Sequence, residues 1–145
     1  MKTLYISLLF LIVVALSAMA CNDQQESEGS TAPTQSVMVT AANETAAMAR
    51  LRSIGVAEAQ YMAESGGEYG TLDQLIQKRY VGDPSSGKLT GYKFEIQVKA
   101  GSFQVTAVPE KYGVTGNRSF YLDESNIMHG ADEKGAAATP TDPEV

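Results

Sequence analysis

Tyr92-Lys93-Phe94-Glu95-Ile96-Gln97-Val98 alternates apolar and polar side chains without a break, and that alternation decides what kind of fold this chain adopts. A period of two places Tyr92, Phe94, Ile96 and Val98 on one face of a strand, and Lys93, Glu95 and Gln97 on the other. Lys99-Ala100-Gly101-Ser102 reads as a turn, after which Phe103, Val105 and Ala107 resume the alternation in a partner strand. A further strand is expected from Asn117 to Leu122, with Phe120 and Leu122 on one face. Asp123-Glu124-Ser125-Asn126 turns the chain again, and Ile127-Met128-His129 makes a short last strand. Three or four antiparallel strands with one apolar face need a cover.

The cover lies upstream. From Ala41 to Glu64 the residues are mostly helix formers, with no Pro and a single Gly at 55. Ala47/Met48, Leu51, Ile54/Gly55, Ala59 and Met62 recur at the three-and-four spacing of an amphipathic helix. Glu44, Arg50, Glu58 and Glu64 fall mostly off that stripe, so a charge reversal at Glu58 is expected to be nearly neutral. Thr40 or Asn43 is placed to cap the start, and Gly66-Gly67 stops the helix. Thr71-Leu72-Asp73-Gln74 opens a second, short helix with a capping-box pattern, ending near Lys78-Arg79. Asp83-Pro84-Ser85-Ser86-Gly87 is turn chemistry. Tyr61, Tyr69, Tyr80 and Tyr92 are expected to pack at the seam between helix and sheet. The fold class that follows is α+β: a long N-terminal α-helix packed on a small antiparallel β-sheet of three to four strands, over residues 41–129.

The remaining composition narrows function. The chain has 145 residues, one Cys and one His, and a net charge of −6. That length holds one domain, and a lone Cys excludes a disulfide framework or a cysteine-rich zinc site. An acidic balance argues against nucleic acid as a partner, because such binding needs a basic stripe. Residues 41–129 carry ten acids against nine bases, so the acidity belongs to the flanks. The tail, residues 130–145, has two prolines and no periodic apolar face, and is expected to be an acidic, disordered segment.

Residues 1–20 read as an export signal: Lys2 is a positive start, and Leu4 to Leu16 is an apolar run broken only by Ser7. The run is shorter than the about 20 residues a membrane span needs. Ala18-Met19-Ala20 satisfies the small-x-small rule of ordinary signal peptidase, and with Cys21 it also resembles a bacterial lipobox. The only Cys in the chain falls on that junction, and Asn22 to Val37 has the composition of a flexible tether. Lipidation of Cys21, with residues 21–40 as anchor and tether, explains both features; simple secretion is the alternative.

Candidates for chemistry are few. Asp123 and Glu124, with Ser125 and Asn126, form an acidic turn that calcium would favour, although two acids fall short of six to eight oxygens. His129 is within reach of pairing with Asp123 or Glu124, but no nucleophile context accompanies it. No cofactor and no small-molecule substrate are indicated, and solvated turn and surface His are the expected roles.

Taken in order, these residues resemble a family. Asn43-Glu44-x-Ala46 leading to Leu51-Arg52-x-Ile54, then Ala57-x-x-x-Tyr61 and Gly67-x-Tyr69-x-Thr71-Leu72-x-x-Leu75, look like the helix and following loop of type IV pilins and type II secretion pseudopilins. Asp83-Pro84-x-x-Gly87 with Tyr92-x-Phe94, and Thr115-Gly116-x-Arg118-Ser119-Phe120-Tyr121-x-Asp123, resemble the loop and strands of the same domains. The resemblance implies the pilin-like globular fold and a non-enzymatic role through protein–protein contacts with a pilus or secretion system. It also implies a place in the bacterial cell envelope, with the membrane as partner through the lipid anchor. One departure limits it: pilins carry a prepilin leader and a Glu early in an apolar helix, whereas here the apolar run precedes Cys21 and holds no acid. The filament role is therefore not implied. The alternative function is a secreted or periplasmic free-standing binding module.

Overall fold

The structure, a computed structural model, describes residues 32–83 and 91–145, the side chains of residues 32–35 excepted. The expected export signal, Cys21, the first part of the tether and the turn through Pro84–Gly87 lie outside the described residues. Helix α1 spans Ala32–Glu64, 33 residues, so helix begins nine positions ahead of the expected start at Ala41. Pro33 does not prevent this, because first-turn N–H groups have no helical partner to lose. Thr40 and Asn43 consequently sit inside the helix and do not cap it. Gly66 and Gly67, at φ +80° and +103°, end the helix as expected, and the Gly67 N–H returns to the Met62 carbonyl. Helix α2, Leu72–Gln77, starts on the anticipated capping box: Gln74 N–H donates to Thr71 Oγ1, and Thr71 N–H donates to Gln74 Oε1.

Four strands follow: β1 Tyr92–Lys99, β2 Ser102–Pro109, β3 Ser119–Asp123 and β4 Met128–Ala131. They form one antiparallel meander in the order β1-β2-β3-β4. The two-residue turn Ala100-Gly101 sets the first register, with Lys99 opposite Ser102 and Tyr92 opposite Pro109. In β2 the odd positions Phe103, Val105 and Ala107 are buried, as the alternation requires.

One helix packed on a four-stranded antiparallel sheet is thus the architecture, with α1 lying across β2 and β3. Leu51 and Ile54 of α1, Leu75 of α2, Val105 of β2, and Phe120 and Leu122 of β3 are essentially without exposure and form the core. Tyr61, Tyr69 and Tyr80 pack against it from the seam, with the Tyr69 and Phe103 ring centroids 5.0 Å apart. The helix comes so close to the β3–β4 turn that a Cβ at Gly55 would stand 2.9 Å from Asn126 Oδ1 and 3.0 Å from Leu122 Cδ2.

Two expectations are corrected. The buried face of α1 runs through Glu44, Ala47, Leu51, Ile54 and Glu58, whereas Ala59 is exposed. Four residues on from Ile54 the same face returns at position 58, whatever side chain stands there. The tail is also ordered. Gly130 N–H donates to the Pro143 carbonyl at 2.9 Å and Val145 N–H to the Met128 carbonyl at 3.0 Å, so the chain end lies antiparallel along β4. Ser119 Oγ donates to the Ala136 carbonyl, and Ala138 is buried. Backbone hydrogen bonds to an open sheet edge hold this segment, and they demand no apolar pattern.

Candidate functional site

The acidic turn is satisfied from within. Asp123 Oδ1 accepts from Ser125 N–H at 2.9 Å and from Ser125 Oγ at 2.6 Å, while Oδ2 accepts from the Tyr121 hydroxyl at 3.1 Å. Partial burial raises the Asp123 pKa, but these hydrogen bonds, with His129 nearby, outweigh it and hold the carboxyl below its ordinary range. Tyr121 is pushed up to about 12, first by burial and then by its bond to that carboxylate. Glu124 is exposed. Among the described residues no three His, Cys, Asp or Glu side chains are grouped to hold a metal. His129 faces Tyr121 across the β3–β4 pair, and its Nδ1 lies 2.7 Å from the Asp142 carbonyl. A carbonyl only accepts, so Nδ1 carries the hydrogen and the ring is tied to the returning tail.

Two carboxylates that the sequence places on the solvent side lie instead at the helix–sheet seam. Glu44 Oε2 accepts from Arg118 Nε at 2.9 Å, and its Oε1 takes the N–H of Asn117 at 3.0 Å and of Arg118 at 3.3 Å. The Arg118 guanidinium also rests over the Phe120 ring, 5.2 Å from its centroid. Glu58 has no exposure at all. Its Oε2 accepts the Gly70 N–H at 2.8 Å, and its Oε1 has no hydrogen-bond partner among the described residues. Burial raises its pKa, and the Gly70 bond only partly offsets that.

The exposed surface carries an apolar collar near the start of the described side chains. Val37 and Met38 are each 67% exposed and Val39 is 55% exposed, three consecutive helix positions that together ring most of α1. Val114, 63% exposed, lies on the loop that α1 holds: Thr40 Oγ1 donates to its carbonyl at 3.3 Å and Asn43 Nδ2 donates to the next carbonyl, that of Thr115, at 3.0 Å. The loop bearing Val114 is pinned from its other side as well. Tyr112 donates to Asp132 Oδ2 at 3.1 Å, and Lys134 Nζ reaches both that carboxylate at 3.0 Å and the Tyr112 hydroxyl at 3.2 Å. Single exposed valines are ordinary, but three consecutive exposed apolar side chains on a helix, with a fourth on a loop bonded to that helix, are apolar surface that a partner would cover. No charged residue occurs from Ala32 to Asn43, so nothing on this stretch of helix opposes such contact. A signal existed in the sequence, the run Val37-Met38-Val39, but assigning it to a tether hid its place on a helix.

No protein-family model, no curated protein and no solved structure matches this chain.

Proposed function

We propose that this chain is a non-enzymatic, pilin-like lipoprotein of the bacterial cell envelope that acts through protein–protein contacts, as an accessory to a type IV pilus or type II secretion system. The observation that carries the reading is the exposed apolar collar of Val37, Met38 and Val39, with exposed Val114 on the loop bonded to α1. The helix-on-sheet layout supports the pilin-like part of the reading, as do the seam tyrosines and the order of the quoted motifs. Export and lipidation at Cys21 rest on the apolar run and on the position of the single Cys. The anchor holds the domain to a membrane, and the collar meets a partner there.

Cys21→Ser, followed by fractionation and intact mass of the mature protein, tests the anchor. The expected result is loss from membranes and loss of the acyl mass, since a cleaved chain without lipid keeps no apolar anchor. Unchanged partitioning refutes the lipoprotein and leaves the second reading, an exported free-standing binding module.

A further inference from the structure

The two edges of the sheet are not alike. β4 is closed by the chain's own end, through Gly130 to Pro143 and Val145 to Met128. β1 is the opposite edge, and among the described residues no strand pairs with its outer side. The hydrogen-bond phase of that side follows from one bond. Glu110 N–H donates to the Gly91 carbonyl at 2.9 Å, and this pair continues the β1–β2 register. Odd-numbered residues of β1 therefore bond inward to β2, and Phe94, Ile96 and Val98 turn their N–H and C=O groups outward. The same phase carried through β3 puts Met128 and Gly130 outward on β4, where the chain end binds them. The side chains of Phe94, Ile96 and Val98 are only half-buried, because α1 lies across β2 and β3 and not across β1.

We propose that β1 is a dimerisation edge that pairs antiparallel with β1 of a second copy, about a two-fold axis through Gln97, so that Glu95 of each chain faces Lys99 of the other. Charge and register select this arrangement. To keep both apolar faces on one side, the axis must pass through a residue of the strand. An axis through Glu95 sets two glutamates against each other, and an axis through Ile96 sets Lys93 against Lys99. An axis through Phe94 pairs Glu95 with Lys93 but runs the partner strand past Gly91, outside the described residues. The axis through Gln97 creates two Glu95–Lys99 pairs on the solvent face and two Ile96–Val98 pairs on the helix-facing side. It continues the sheet from four strands to eight and pairs the outward N–H and C=O groups of β1.

A disulfide reads this register directly. Gln97 would lie opposite itself in a pair that is not hydrogen-bonded, where Cα atoms stand about 4.5 Å apart, within the span of a disulfide. In the full chain carrying Cys21→Ser, Gln97→Cys is expected to give a disulfide-linked dimer on oxidation. Gln104→Cys, one strand inward, is expected to stay monomeric. Adding Glu95→Lys to Gln97→Cys should weaken association about ten-fold, and adding Lys99→Glu to that variant should restore it. No dimer from Gln97→Cys above the Gln104→Cys level overturns the proposal. Dimer yield indifferent to Glu95→Lys also overturns it, since collision alone then explains the crosslink. Efficient crosslinking through Phe94→Cys in place of Gln97→Cys overturns the register. Capture of a different protein at β1, with no self-pairing, overturns the choice of partner.

Discussion

Glu58→Gln should change the pH dependence of stability more than stability itself. The Glu58 carboxyl is fully buried, one oxygen takes the Gly70 N–H and the other has no partner among the described residues. Burial lifts its folded-state pKa above the ordinary carboxyl value of 4.5. Folding therefore takes up a proton above pH 4.5, and stability falls as pH rises through the raised value. Below 4.5 the group is neutral in both states and exerts no penalty. Above the raised value the domain bears the full cost of an ionised, half-partnered carboxylate, about 1–3 kcal/mol by the usual cost of an unmet buried acceptor. Gln keeps an acceptor for Gly70, fills nearly the same volume and never ionises. The stability difference, variant minus wild type, should thus move in the variant's favour by about 1–3 kcal/mol between pH 5 and pH 8. For a domain of this size that is about 4–12 °C in Tm.

Circular-dichroism melts of both proteins at pH 5, 6, 7 and 8 make the measurement. Asp123, Asp132 and Glu64 have lowered pKa values and pull the other way, losing stability on acidification. They are present in both proteins and cancel in the difference. A difference that stays constant across the range would refute the reasoning.

Two further outcomes separate the observed core from the one expected. Leu51→Asp should unfold the domain, because an unpaired buried charge costs several kcal/mol of a total near 5–15 kcal/mol, whereas Ala59→Asp should melt near wild type; equal melting curves would contradict the assigned face. Gly116→Ala should lower stability by about 1–3 kcal/mol, since its Cβ would fall on the Tyr92 hydroxyl that donates to the Arg118 carbonyl; an unchanged Tm in thermal unfolding would show that the Tyr92 ring yields freely.

What the sequence discloses is what side-chain pattern encodes. Alternation in Tyr92–Val98 and Phe103–Ala107 fixes two strands and, through the short turn at Ala100-Gly101, their register. Thr71 with Gln74 announces a helix start because the reciprocal bonds need those two side chains three apart. The tail has no such pattern, because Pro143 and Val145 are held by backbone groups that every residue carries. Glu58 was hidden for a different reason: hydropathy steps from Ile54 to Ala59, but helical geometry returns the buried face to position 58. The collar at Val37–Val39 stayed hidden because Gln, Ser and Thr around it resemble a linker until Thr40 and Asn43 are seen to bond the loop beside them.

The two seam glutamates explain why α1 holds one axial position. They stand 14 residues apart on one face, about 21 Å along the axis, with Ala47, Leu51 and Ile54 between them. An aliphatic stripe alone would pack almost as well after sliding by one turn, because dispersion and burial are indifferent to small axial shifts. Glu44 is indexed to the start of β3 by the N–H groups of Asn117 and Arg118 and by the guanidinium, and Glu58 is indexed to Gly70. A slide would strip both carboxylates of their partners while leaving them buried, which costs more than the packing could return. The uncompensated oxygen of Glu58 is the stability given up for that uniqueness. The collar shares that fixed position, because Thr40, next to Val39, and Asn43 bond the carbonyls of Val114 and Thr115.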